Sequence, residues 1–274
     1  MSSQNLNFIF FGTPTVASKT LSILKEKGYI PKLIITSPDK PSGRGLEMHE
    51  TSVSLWAKEN NIQCLKPEKL TPEFIYNLKP ETYDLSIVVA YGKIIPEILI
   101  NKPELGTINI HYSLLPKYRG ASPLEACLLS GDEETGVSIQ QMEYKLDSGG
   151  ILREEKIEIG INDTKEELRE ILINLGANVL CDVLPQIVNK EIIPKPQDES
   201  LATFCKKIQK EDGEIDINVN GEENWNKYRA FYGWPGSFFF QNGKRIKITE
   251  AIYENGSFII KKVIREGKKE TIWK

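Results

Sequence analysis

The 274-residue chain has only two histidines, His49 and His111. Chemistry that needs a histidine cluster is therefore excluded, and with it the commonest transition-metal centres. The four cysteines, Cys64, Cys127, Cys181 and Cys205, form no C-x-x-C pair, and no histidine lies beside any of them. That argues against both a zinc site and a disulfide framework, and for buried or half-buried free thiols in a reducing compartment. Long apolar runs are missing: the longest, Leu85 to Ala90, is six residues, where a bilayer span needs ~20. No cationic segment precedes the apolar Phe8-Ile9-Phe10-Phe11 stretch, so the sequence predicts no secretion signal and a cytoplasmic protein. Two glycine fingerprints are also absent. The first apolar run leads into FFGTPTVA, not G-x-G-x-x-G, and no G-x-x-x-x-G-K-[ST] occurs, which disfavours a dinucleotide oxidoreductase and a P-loop nucleotidase.

What is present is the composition of a globular protein, 40% hydrophobic and 27% charged, which excludes a disordered or fibrous chain. A net charge of −3 conceals an asymmetry. Residues 1–205 hold 21 basic and 28 acidic side chains, and residues 206–274 hold 14 and 10. A basic end on an acidic protein fits either a phosphate-tracking surface or a solvated strand face.

The apolar pattern predicts strands at Leu6–Phe11, Leu33–Thr36, Ile62–Leu65, Leu85–Ala90, Gly106–Ile110, Val137–Met142 and Ile151–Ile157. Helices are predicted at 15–27, 52–60, 123–130 and 164–189, with Pro185 bending or ending the last. Ser37–Gly45 (SPDKPSGRG) reads as loop throughout. Alternating strand and helix predicts a Rossmann-like α/β domain with a mostly parallel sheet, its ligand site beyond the carboxyl ends of the strands. Ile193–Ser200 has linker composition, and past it short alternating runs flank Asn242-Gly243 and Asn255-Gly256, both strong hairpin signals. The predicted division is a catalytic domain at 1–190, a linker at 191–207 and a small β-rich, barrel-like domain at 208–274.

The most informative stretch is Gly106 to Gly120, GTINIHYSLLPKYRG. Period two puts Asn109 and His111 on one face at the carboxyl end of a strand. Histidine is the usual acid/base group near neutral pH, and an asparagine amide is a good oxyanion donor. Asp147, in KLDSGG between two strands, could raise and orient such a histidine. The same residues fit a structural histidine and a turn aspartate. Without a serine or cysteine nucleophile in evident position, the trio suggests acyl transfer straight to a substrate amine.

NIHYSLLPKYRGASP, followed by ETGVSIQQMEYKLDSGGIL, resembles the signature of the formyltransferase family. FFGTP at 10–14, SPDKPSGRG at 37–45, KPQDESLATFCKKIQKEDGEIDI at 195–217 and FYGWPGSFFFQNGKRIKI at 231–248 resemble the branch that formylates methionyl-tRNA, so the likeness covers essentially the whole chain. It implies Asn109, His111 and Asp147 as the catalytic trio, with Asn109 and His111 stabilising the oxyanion and Asp147 holding His111 and helping to move the proton, and 10-formyltetrahydrofolate as formyl donor, with no metal. It places the folate against Val89, Ala90, Tyr91, Gly92, Ile94 and Met142, and against the turn Ser113, Leu114, Leu115 and Pro116. It implies initiator methionyl-tRNA as partner, met by the SPDKPSGRG loop with Lys40 and Arg44; on charge alone, Lys244, Arg245, Lys247, Lys261, Lys262, Lys268 and Lys269 of the basic C-terminal strands could track its phosphates. A monomer is the default expectation.

Three departures from the family pattern stand out. The C-terminal domain reads as shortened. Ser52-Val53-Ser54 lacks a basic residue usual in that segment. Gly150 stands where an aspartate often follows the catalytic loop. Competing readings are a sugar-nucleotide N-formyltransferase, which shares the trio, and a folate- or RNA-binding relative without catalysis.

Overall fold

The computed structural model describes residues 6–42, 47–219 and 221–274. In chain order its first half comprises β1 (Phe8–Gly12), α1 (Thr15–Glu26), β2 (Leu33–Ile35), β3 (Lys40–Ser42), β4 (Glu47–His49), α2 (Ser52–Glu59), β5 (Cys64–Leu65), α3 (Pro72–Leu78), β6 (Leu85–Val89), α4 (Glu97–Ile100) and β7 (Thr107–His111). The second half comprises β8 (Arg119–Gly120), α5 (Pro123–Ser130), β9 (Glu134–Gln141), β10 (Ile151–Glu158), α6 (Lys165–Val188), β11 (Phe204–Cys205), α7 (Gly221–Ala230), β12 (Phe238–Gln241), β13 (Lys244–Glu254), β14 (Ser257–Arg265) and β15 (Glu270–Ile272).

Apolar side chains on both faces of a strand need cover on both faces. Accordingly β1 and β6, buried at every position, lie side by side in the middle of a seven-stranded sheet of order β10-β9-β7-β6-β1-β2-β5. β1 pairs in parallel with both β2 and β6, β2 pairs in parallel with β5, and β6 with β7. β9 runs antiparallel to β7. The chain moves outward from β1 to β2 and β5, then returns to β6 on the other side. The reversal makes the carboxyl ends of β1 and β6 a switch point, where open α/β sheets place their ligands. At that point the Thr13 hydroxyl donates to the Tyr91 carbonyl at 2.9 Å.

The helices follow their sequence signals. In α1, Ala17, Leu21 and Leu24 are buried on one face, the spacing of an amphipathic helix. The Thr51 side chain caps α2 by accepting the Ser54 N–H at 3.0 Å. Pro123 opens α5, and Gly131 closes it in the left-handed region. α6 is longer and more regular than Pro185 suggests. The proline sits in its last turn, and its carbonyl still receives the Asn189 N–H at 3.0 Å. By length and composition α6 could cross a bilayer, but 56% of its apolar window is buried inside the fold, as in a core helix.

Several elements differ from the sequence reading, among them the short α4, β8 and β11. Lys40–Ser42, inside the predicted loop, pairs with Glu47–His49 just beyond it as a short antiparallel ladder. α3 is an additional helix, although its signals are local: Thr71 caps it and Pro72 occupies its first turn. α7 escapes the apolar pattern because its composition is polar, with Asn224, Asn226 and Arg229 among its buried side chains.

The chain forms two compact units. One takes residues as far as Arg119, with Gly136–Glu155 and Leu172–Ala202; the other takes Gly120–Thr135, Lys156–Ile171 and Thr203–Lys274. The sheet of the second unit is an antiparallel meander, β12-β13-β14-β15. Both Asn-Gly turns have positive φ at both central residues, the type I′ geometry that suits the twist of a hairpin. Trp225 of α7 stacks on Tyr228 and Tyr253 at 5.5 and 6.0 Å, over Phe239, Ile246, Ile248 and Val263. Hydrogen bonds explain why mid-chain segments belong here. Trp225 Nε1 donates to the Ile161 carbonyl at 2.7 Å, and Arg229 Nη1 donates to the Gly160 carbonyl at 3.1 Å.

Candidate active site

β7 ends in Asn109-Ile110-His111, and β9 runs against it with Asn109 opposite Gln140 and His111 opposite Ser138. Directly opposed residues of an antiparallel pair share a face. Four polar side chains, Asn109, His111, Ser138 and Gln140, thus occupy one face of two adjacent strands. The other phase of β9, Val137 and Ile139, is buried apolar core.

His111 is 5% exposed. Its Nε2 lies 2.9 Å from the Tyr118 carbonyl. A carbonyl only accepts, so Nε2 carries the proton and Nδ1 is left with its lone pair in the neutral ring. Nδ1 faces Asp147 Oδ2 at 3.8 Å, too far for a hydrogen bond yet near enough for strong Coulomb attraction to a protonated ring. Burial pushes the His111 pKa down; the Asp147 charge and the Tyr118 carbonyl oppose that. The result is a neutral, oriented imidazole with a carboxylate beside its basic nitrogen.

Asp147 sits at φ +45° in the loop between β9 and β10. Gln140 Nε2 donates to its Oδ1 at 3.0 Å. Gln140 is 1% exposed, and its Oε1 is a buried atom with no hydrogen-bond partner among the described residues. The loop is tight: a Cβ at Gly149 would lie 1.7 Å from the Gln141 carbonyl oxygen. A Cβ at Gly150 would lie 2.7 Å from Pro194 Cβ. The family departure at Gly150 thus accompanies the close passage of the segment that carries Pro194.

The Ser113–Pro116 turn is tied to β9 and to the residue that follows it. The Leu115 N–H donates to Ser138 Oγ at 3.0 Å, and Ser113 Oγ donates to the Lys117 carbonyl at 2.6 Å. Ser113 and Leu115 are buried, while Leu114 and Pro116 are half-buried. Of the other expected folate contacts, Val89 closes β6 and is buried, whereas Ala90 and Gly92 are exposed with positive φ. Tyr91 is buried with its ring edge-on to Phe11 at 5.5 Å, and burial raises its hydroxyl to about 12. Ile94 is 82% exposed. Met142 packs half-buried on the core cluster beneath β1 and β6.

Among the expected tRNA contacts, Lys40 is exposed on β3 and Arg44 lies outside the described residues. Lys244, Arg245 and Lys247 are exposed on β13. The Arg245 guanidinium stacks 3.7 Å over the Phe238 ring. Lys262 is paired with Glu250 at 2.5 Å. Lys268 and Lys269 are exposed, and Lys261 is half-buried.

Sequence reasoning missed Gln140. A signal existed: Ser138 and Gln140 are polar at alternate positions of an otherwise apolar run, in register with Asn109 and His111.

The formyl transferase family model matches residues 4–184, and the model for the C-terminal domain of formyl transferases matches residues 207–272. A methionyl-tRNA formyltransferase from Dictyoglomus thermophilum is 43% identical, over 92% of this chain and 81% of that protein. One from Sulfurihydrogenibium sp. is 38% identical, over 97% and 87%. Among solved structures, the N-formyltransferase from Helicobacter canadensis in complex with folinic acid and dTDP-3-aminofucose superimposes with a TM-score of 0.67 at 18% identity, over 93% of this chain and 95% of that one. The two-unit α/β architecture is thus that of known formyltransferases, and the chain is an enzyme of formyl-group transfer, a member of the formyltransferase family.

Proposed function

We propose that the protein transfers a formyl group from 10-formyltetrahydrofolate to the α-amine of methionyl-initiator-tRNA in the cytoplasm. The observation that carries the chemistry is His111 Nδ1 facing Asp147 at 3.8 Å, on the face that also presents Asn109. The acceptor rests on the identity with methionyl-tRNA formyltransferases over most of the chain. The donor rests on the same relatives and on the folinic acid held by the Helicobacter canadensis protein.

An α-amine has a pKa near ~7.7, so roughly one sixth of it is unprotonated and nucleophilic at pH 7. Its nitrogen attacks the formyl carbon, and negative charge develops on the formyl oxygen. The Asn109 amide donates to that oxygen, a contribution on the order of 3 kcal/mol for such a donor. His111 Nδ1 accepts the proton that the new C–N bond makes acidic. Asp147 stabilises the imidazolium while it lasts. The proton then passes to N10 of the folate as the carbon–N10 bond breaks, which leaves formylated amine and tetrahydrofolate. The geometry favours a base for His111 over an oxyanion donor, because Nε2–H is already engaged by Tyr118. Ala90, Gly92 and Ile94, past the carboxyl end of β6, border the donor together with Met142. Lys40, Lys244, Arg245 and Lys247 meet the tRNA phosphates, with Arg44 as a further basic residue of the SPDKPSGRG segment.

The test is to mix protein, 10-formyltetrahydrofolate and methionyl-initiator-tRNA and measure formyl-methionyl-tRNA. Robust turnover is expected. Formylation of an amino-sugar nucleotide but not of the tRNA would move the protein to the sugar branch of the family. Folate binding without transfer to either would make it a non-catalytic relative.

A further inference from the structure

The segment that follows α6 returns to the Asp147 loop. Gln197 Nε2 donates to the backbone carbonyls of Asp147 and Gly149, at 2.9 and 2.7 Å. Its Oε1 accepts from Nε and Nη2 of Arg119, at 3.1 and 2.7 Å. Both N–H groups and both lone pairs of this amide are therefore used, which fixes its orientation. Arg119 has no solvent exposure. It directly follows Tyr118, whose carbonyl receives His111 Nε2. Arg119 Nη2 also donates to Glu199 Oε1 at 2.7 Å, and Lys145 Nζ donates to Glu199 Oε2 at 2.7 Å. These two cations hold the Glu199 carboxyl down at about 2. A buried guanidinium needs such partners, because an unpaired charge there would be costly.

We infer that Gln197 is a positioning residue for the formyl-transfer site. It clamps the Asp147 backbone to the arginine adjoining the Tyr118 carbonyl that orients His111, so the gap between carboxylate and imidazole is set from outside the trio. The inference rests on the functional reading above. Asp147 needs such a clamp, since a non-glycine residue at positive φ persists only where its surroundings hold it there. The elements involved are far apart in sequence: 78 positions separate Arg119 from Gln197, and 50 separate Gln197 from Asp147.

Gln197→Glu separates positioning from anchoring. The new carboxylate still accepts from Arg119 but offers no N–H to the two carbonyls. The expected result is a kcat lowered about 10- to 100-fold, the range for misplaced catalytic groups. KM for both substrates stays within about threefold, since the lost interaction concerns the transition state. A residue that merely anchors the segment would lower Tm and leave kcat of the folded enzyme unchanged. Gln197→Met, of similar length and without an amide, is expected to show the same split; wild-type kcat in whichever variant folds overturns the inference. Wild type and His111→Ala are run beside them. If wild type transfers no formyl group, or His111→Ala matches it, the functional reading fails and takes the clamp with it. If wild type is active, His111→Ala is inactive and Gln197→Glu is normal, the clamp alone fails.

Discussion

The strand-end site of the first unit and the basic sheet of the second use charge in opposite ways. Around the site, the imidazole and the guanidinium are sunk and hydrogen-bonded to fixed partners: His111 is 5% exposed and Arg119 is fully buried. On β13, Lys244, Arg245 and Lys247 are exposed, and Arg245 rests on an aromatic ring. Proton transfer demands position to within a fraction of an ångström, which only a satisfied network in low dielectric provides. Attraction to a phosphate backbone demands charge in roughly the right place, and mobile side chains serve. The two regions should therefore fail differently when altered.

The largest effect is expected at the site. His111→Ala should lower kcat by about 10²- to 10⁴-fold, the usual contribution of a positioned acid or base, and steady-state formylation kinetics measure it. Asn109→Ala should cost about 10²- to 10³-fold in kcat if it donates to the oxyanion. Little change in either would put the chemistry elsewhere.

Next comes a pH effect. Burial lowers the His111 pKa and the Asp147 charge opposes it, so the basic form prevails at neutral pH and activity falls as pH drops through the lowered pKa. Asp147→Asn removes the opposing charge and should move that acid limb to lower pH, beside a reduced kcat. The same group has a stability consequence. Its folded pKa lies below the unfolded value of ~6.5, so the unfolded chain binds the proton more readily and stability declines as pH falls below that value. A pH series of thermal melts on wild type and on His111→Ala would show whether the slope belongs to this residue.

The smallest effect is expected on the sheet. Replacing Lys244, Arg245 and Lys247 together by alanine should leave kcat near wild type. It should raise KM for tRNA and flatten its dependence on log salt, by about one unit for each phosphate that no longer meets a cation. An unchanged salt slope would return these residues to the status of a solvated strand face.

Much of this was legible in the sequence, and the reasons differ by residue. β1 and β6 announce themselves because a strand covered on both faces must be apolar at every position. Asn109 and His111 could be paired because period two is a local rule. The hairpin turns at Asn242 and Asn255 could be read because few other residue pairs accept positive φ twice in succession. What could not be read depends on contact between distant segments. The inclusion of Gly120–Thr135 and Lys156–Ile171 in the second unit rests on bonds such as that from Trp225 to Ile161, 64 positions apart. α7 hid because a helix whose buried face includes Asn224, Asn226 and Arg229 has no apolar stripe. Gln197 looked like linker, since nothing in KPQDES signals that its amide reaches two carbonyls of another loop.

That reach has a consequence for the order in which the enzyme is made. Synthesis runs from the N-terminus, so His111 and Asp147 leave the ribosome well before Gln197. A nascent chain stopped at the end of α6 already holds the whole trio but none of the four hydrogen bonds through which Gln197 ties Arg119 to the Asp147 loop. The site is thus finished late, by a stretch that belongs in sequence to neither matched family region. A fragment cut at residue 184 would carry the signature without the brace.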